Sequence, residues 1–169
     1  AGALARLGKL ALSTMGNHVF LVTDAGMVAT GIVDQARSHL KTAGVEVTVF
    51  TDVQADPPEA VILAAAETAR SAGVDGVIGL GGGSSLDVAK LVALLAVGKE
   101  ELKAVYGVGN AKGPRLPLIL VPTTSGTGSE VTPISIVTTG TSEKMGVVSP
   151  VLLPDIALLD PELTYGLPA

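Results

Sequence analysis

The chain contains no cysteine and no tryptophan, and only two tyrosines and two phenylalanines among its 169 residues. The missing cysteines exclude disulfides and thiolate metal sites, while leaving the compartment open. With so few aromatics, a core must be assembled from Val, Leu, Ile and Ala. These are plentiful, since hydrophobic residues make up 47% of the chain. Such a core suits a parallel sheet buried on both faces. Positive charge is also scarce, with 11 Lys and Arg against 16 Asp and Glu and a net charge of −5. Nucleic acids and anionic membranes both call for a positive surface, so neither is expected as a partner. Long apolar runs are missing too. The longest, residues 86–97, includes Asp87 and Lys90 and is too short to span a bilayer. The opening Ala-Gly-Ala-Leu-Ala-Arg-Leu lacks the basic-then-apolar order of a signal peptide. The cytoplasm is therefore the default expectation, and the length suits one domain or one and a fraction.

What the chain does have is concentrated between Val77 and Leu95. The apolar pair Val77-Ile78 enters a loop containing Gly79, Gly81, Gly82 and Gly83, and a helical pattern opens at Ser84 or Ser85. Strand, glycine loop and helix is the order that aims backbone N–H groups and the positive end of a helix dipole at a phosphate. Ser84 is placed to cap the helix, with Asp87 three residues on to close a capping box. A plain strand-to-helix turn is the competing reading. Three consecutive glycines exceed what such a turn needs, and each costs about 0.5–1 kcal/mol of folding entropy.

Around this stretch the pattern alternates. A helix over Leu4–Leu12 precedes a strand at residues 19–23, which ends at Asp24. A helix follows Gly26 to about Lys41, and Val45–Phe50 reads as a second strand. Pro57-Pro58 opens a third helix, to about Ser71, with Asp56 as N-cap. Gly76–Leu80 is the third strand and Leu118–Val121 the fourth, across a polar connection at 100–115 with one helical turn. This rhythm implies parallel strands with right-handed crossovers. Beyond Pro122 it changes: residues 134–138 and 145–148 flank Gly140 as a hairpin, and Pro154–Asp160 reads as a last strand.

Ligands of open α/β sheets bind outside the carboxyl ends of the strands. Asp24 stands at such an end and suits a ribose, although a solvated turn aspartate fits equally. The ordinary dinucleotide fingerprint places its acid about 20 residues after the glycines. That region holds Lys99, Glu100, Glu101 and Lys103 with no clean strand end, so a ribose-binding Asp24 implies a variant topology. Thr123-Thr124-Ser125-Gly126-Thr127-Gly128-Ser129 brings five hydroxyls and two glycines to another strand end, suited to phosphate, ribose or amide contacts. Lys144, in the hairpin, reads either as a phosphate contact or as a solvated edge lysine. Asp87 and Lys90 are spaced to pair with each other on the helix. His18 and His39 have no metal-ligand spacing, and no nucleophilic triad or other catalytic set is visible.

Three segments carry a resemblance: Gly-Gly-Gly-Ser-Ser-Leu-Asp-Val-Ala-Lys (81–90), Pro-Thr-Thr-Ser-Gly-Thr-Gly-Ser-Glu-Val-Thr (122–132) and Leu-Leu-Asp-Pro-Glu-Leu-Thr (158–164). Together with Gly-Ala-Leu-Ala-Arg-Leu-Gly near the start and Leu-Val-Thr-Asp (21–24), they resemble the iron-containing (group III) alcohol dehydrogenases, in order and over nearly the whole chain. The resemblance implies a Rossmann-like parallel sheet with flanking helices plus a C-terminal hairpin, as in dehydroquinate synthase-like N-terminal domains. It implies that residues 1–169 form the NAD(P)-binding domain of an enzyme interconverting alcohols with aldehydes or ketones. The helical domain carrying Fe2+ or another divalent metal would lie outside this chain.

By the same resemblance, Asp24 contacts the adenosine ribose, and Gly82, Gly83 and Ser84 contact the pyrophosphate. Asp87, Thr123, Thr124, Ser125, Thr127 and Lys144 belong with them as cofactor-binding residues. A carboxylate at the ribose favours NAD over NADP. No metal ligand and no catalytic residue is expected in these 169 residues, and a homo-oligomer acting on a small alcohol or carbonyl compound is expected. A glycerol dehydrogenase-like enzyme of the same fold group and a non-catalytic nucleotide-binding module are the alternatives.

Overall fold

A computed structural model describes residues 1–140 and 143–166. A 3-10 turn at Ala3–Arg6 leads into α1 (Leu7–Thr14) and β1 (His18–Val22). Next come α2 (Ala25–Ala29), α3 (Ile32–Thr42), β2 (Glu46–Phe50), α4 (Glu59–Ala72) and β3 (Gly76–Gly81). These are followed by α5 (Gly83–Val97), α6 (Leu102–Val105), the short β4 (Gly107–Val108) and β5 (Leu118–Pro122). The antiparallel hairpin β6 (Ile134–Thr139) and β7 (Glu143–Val148) precedes β8 (Ile156–Ala157). The main sheet has the order β2-β1-β3-β5-β8, and all its pairings are parallel. The second sheet, β4-β7-β6, contains the expected hairpin. The fold is α/β and Rossmann-like.

The central strands β1, β3 and β5 are apolar on both faces, so alternate residues feed two separate cores. Phe20, Val22, Val77, Leu118 and Leu120 pack with Ile62, Ala65 and Ala69 of α4 and with most of α5. Val19, Leu21, Ile78, Leu80, Ile119 and Val121 pack on the other face against Leu7 and Ala11 of α1 and Val33, Ala36 and Leu40 of α3. Helix α5 is buried nearly all round, from Ser85 to Ala96, because it lies between the main sheet, α4 and the hairpin. No helix among the described residues is long and apolar enough to cross a membrane.

Three expectations need correction. The helix after Gly26 is two helices, because Gly31 adopts φ 78° and starts α3 afresh. Asp56 does not cap α4. Each proline disfavours helical geometry in the residue before it, so α4 begins only at Glu59, with extended Pro58 at its N-cap. The last strand is only two residues long, Ile156–Ala157. Beyond it, buried Asp160 accepts hydrogen bonds from the N–H groups of Gly2 (3.1 Å), Leu4 (2.8 Å) and Glu162 (3.3 Å). Burial alone would raise its pKa, but those N–H groups outweigh burial and hold the carboxyl below its ordinary value.

Candidate functional site

Strand order 2-1-3 makes the chain reverse its direction of winding between β1 and β3, and such a switch point opens a crevice at the carboxyl edge. Asp24 follows β1 and the glycine loop follows β3, so the two are brought together there although 57 positions separate Asp24 from Gly81. The acid follows β1, the spatial neighbour of β3 but two strands earlier in the chain, which is why the ordinary fingerprint fails. The hydroxyl-rich loop follows β5, the next strand along. The Thr123 N–H donates to the Gly81 carbonyl at 3.0 Å and joins the two loops at their roots.

Gly81 has φ 146°, a conformation open to glycine, and turns the chain from β3 into α5. Gly82, not Ser84, is the N-cap of α5, and no side chain caps it. The expected capping box is therefore absent. Asp87 looks away from its own helix start: one carboxylate oxygen accepts from the Ile136 N–H at 3.0 Å, the other from the Ser129 hydroxyl. A Cβ built at Gly83 would lie 2.9 Å from Thr127 Cγ2, so glycine there lets the hydroxyl loop close onto the helix start.

Two clefts meet at Gly83 and Ser84. One, of about 370 Å³, is lined by Asp56, Asp87, Thr127, Ser129, Ile136 and Lys144 in addition to that pair. The other, of about 380 Å³, lies toward Asp24, with Gln54, Ala55 and Gly82. Thr124 and Ser125 line a third cleft of about 450 Å³ on the far side of the hydroxyl loop, facing Leu159 and Thr164. Thr124 still borders the glycine loop, because its Cγ2 is 3.5 Å from where a Cβ on Gly82 would sit.

Of the sequence-derived site residues, Asp24, Gly82, Gly83, Ser84, Asp87, Thr127 and Lys144 line the two clefts at the start of α5, whereas Ser125 faces the third cleft. Asp24 caps α2 through the Met27 N–H at 2.9 Å and accepts from the Ser85 hydroxyl at 3.1 Å. Lys144 faces the Asp56 carboxylate at 2.6 Å in an exposed pair. Asp56 itself has φ 52°, so the proline-flanked turn aims its carboxylate at the hairpin. Thr123 is buried, and its hydroxyl contacts the Met27 sulfur at 3.4 Å.

Sequence reasoning missed Lys90, read there only as a partner of Asp87. Its side chain is wholly buried. The ammonium donates to the Ser129 hydroxyl at 2.9 Å and the Ile134 carbonyl at 2.7 Å, with Asp87 at 3.5 Å. Burial pushes the Lys90 pKa down, against the opposing pull of Asp87 and then Glu130. The available signal was a single cation inside a helix apolar all round.

A model of the family described as iron-containing alcohol dehydrogenase matches residues 1–161. Among curated proteins, the 4-hydroxybutyrate dehydrogenase of Cupriavidus necator is 45% identical over 153 residues, covering 88% of this chain and 40% of that protein. Among solved structures, a 1,3-propanediol oxidoreductase superposes with a TM-score of 0.94 at 32% identity, covering 99% of this chain and 44% of the other. The sulfoacetaldehyde reductase of Bifidobacterium kashiwanohense, solved in complex with NAD+, superposes with a TM-score of 0.88 at 32% identity and the same coverage. The chain spans less than half the length of each of these relatives.

Proposed function

The chain belongs to the iron-containing alcohol dehydrogenase family, and from that premise we propose that it is the dinucleotide-binding domain of an NAD-dependent, metal-dependent dehydrogenase interconverting an alcohol with an aldehyde or ketone. The observation that carries this reading is the junction of two clefts over the uncapped start of α5. A dinucleotide needs that shape: a site for a central pyrophosphate flanked by room for two nucleosides. The N–H groups at Gly83 and Ser84, with the dipole of a 15-residue helix behind them, suit the pyrophosphate. The space beside Gly82 is open enough for close approach, since a Cβ there would touch nothing nearer than 3.5 Å.

Asp24 then serves the adenosine ribose, held ready by Met27 and Ser85. Thr127 and Lys144 serve the other half of the cofactor, and Thr124 borders the glycine loop. Bound NAD supplies the hydride acceptor. The residues of this chain bind it, orient it and set its choice over NADP.

Among the described residues no group of three or more His, Cys, Asp or Glu is placed to hold a metal ion. We assign the metal, and the substrate oxygen it would polarise, to ligands outside these 169 residues. Calorimetric titration of the chain with NAD tests the reading. Saturable binding with a stoichiometry of one is expected, weaker for NADP. A well-folded sample that binds neither nucleotide overturns it.

A further inference from the structure

Behind the cleft that holds Lys144 lies a charged network that the cofactor reading leaves unused. We propose that Lys90 is a positioning residue for the dinucleotide: its ammonium fixes the spacing between the glycine-loop helix, the hydroxyl loop and the hairpin. This inference rests on the cofactor reading above and deepens it.

The three acceptors around Nζ come from three different walls of one cleft. Asp87 belongs to α5, Ser129 to the end of the hydroxyl loop and Ile134 to β6. All three line the cleft together with Gly83, Ser84, Thr127 and Lys144, whereas the lysine itself is completely covered. The hydrogen-bond roles are consistent throughout. An ammonium has three donors and no acceptor. The Ser129 hydroxyl accepts from Lys90 and gives its one proton to Asp87. Asp87 completes the frame by accepting from the Ile136 N–H, and its backbone carbonyl accepts from the buried Ser135 hydroxyl at 3.0 Å. Every bond crosses between the helix that begins at the glycine loop and a segment at least 39 positions away, except the one within α5.

Stability alone does not account for this arrangement. A buried ion pair is often matched or bettered by apolar residues of the same volume, and every other wholly buried long side chain of α5 is apolar. An ammonium differs in having three directional bonds, which set distances that an apolar contact leaves free to slide. The pull on Ser129 carries Thr127, two residues earlier, whose hydroxyl accepts from the Ser129 N–H at 3.3 Å. The pull on Ile134 places the strand that pairs with Lys144 through Thr138.

The test compares the 169-residue wild type with Lys90→Met, which is one heavy atom shorter, stays close in volume and removes all three donors. NAD affinity is measured by calorimetry alongside circular dichroism and thermal melting. A shift of one wall by an ångström lowers a positioned interaction steeply, so folded Lys90→Met should bind NAD about tenfold or more weakly. Rescue distinguishes the ammonium from the packing. The chain has no cysteine of its own, so Lys90→Cys can be aminoethylated at that one position in denaturant and refolded. This near-isosteric ammonium should restore affinity to within about twofold of wild type.

Wild-type affinity in Lys90→Met overturns the inference while leaving the cofactor reading intact. So does a loss that the aminoethylated protein does not recover. If the folded wild type itself fails to bind NAD, the cofactor reading falls and this inference with it. Should Lys90→Met not fold, Lys90→Gln, whose uncharged amide is shorter and has two donors in place of three, is judged by the same thresholds.

Discussion

Gly82→Val separates what the fold needs from what a dinucleotide needs. Gly82 has φ −76° and ψ −178°, extended backbone that any residue adopts. A Cβ there meets only the Thr124 side chain, at 3.5 Å from Cγ2 and 3.8 Å from Oγ1, which is ordinary contact. The substitution restricts the unfolded chain, a gain of about 0.4–1 kcal/mol at a compatible site. It also places a poor residue at an N-cap, a cost of about 1 kcal/mol. The two nearly cancel, and for a chain of this size a residual 1 kcal/mol moves Tm by only about 2–4 °C.

The ligand fares differently. The branched side chain stands beside the N–H groups at the start of α5, where a phosphate must approach closely. A charge-assisted hydrogen bond is worth about 1.5–3 kcal/mol, so losing even one raises Kd roughly tenfold to a hundredfold. Calorimetric titration and a thermal melt on the same preparation read both effects. Unchanged NAD affinity in a folded Gly82→Val protein would show the glycine loop to be a connector only. A collapse in Tm would refute the claim of open space.

Asp24→Gly should raise NADP affinity relative to NAD, because like charges brought into contact cost several kcal/mol. Glycine is itself a tolerable N-cap, so α2 should lose only a few tenths of a kcal/mol; equal Kd values for both cofactors in the wild type would remove the assignment of Asp24. The chain incubated with NAD, a primary alcohol and Fe2+ or Zn2+ should show no NADH formation by absorbance, and metal-dependent turnover would refute the proposed division of labour. Asp160 has a folded pKa below its ordinary 3.8, so its stabilisation is complete above that value and is lost as pH falls through the folded value. Asp160→Asn should therefore melt below wild type at neutral pH, with the gap closing in acid; a constant gap across the acid limb would contradict the carboxylate's role.

The central strands β1, β3 and β5 were legible because both their faces are apolar. The glycine loop was legible because three consecutive glycines exceed what a plain turn requires. Hydrogen bonds made over long distances were not. Ser84 and Asp87 have the spacing of a capping box, yet Asp87 bonds residues 42 and 49 positions away, a preference that only the docked hairpin creates. Asp56 has the chemistry of an N-cap, but two prolines hold the helix start away from it and Lys144 takes its carboxylate. The i,i+3 spacing of Asp87 and Lys90 is typical of a surface pair. Here α5 has no exposed face along most of its length, so that spacing puts a charge in the interior instead.

The Asp160 clamp also bears on how the chain folds as it is made. Strands β1, β2 and β3 are complete in the sequence by residue 81 and β5 by residue 122. The first turn cannot be secured so early. The N–H groups of Gly2 and Leu4 are held by a carboxylate 156 to 158 positions later, so this contact waits until both sheets have been made. Until Asp160 is available, the turn that carries Leu4 lacks this anchor and rests on its apolar contacts with the second core. The turn at Ala3–Arg6 is therefore a latch that closes late, after the strands of both sheets have been translated.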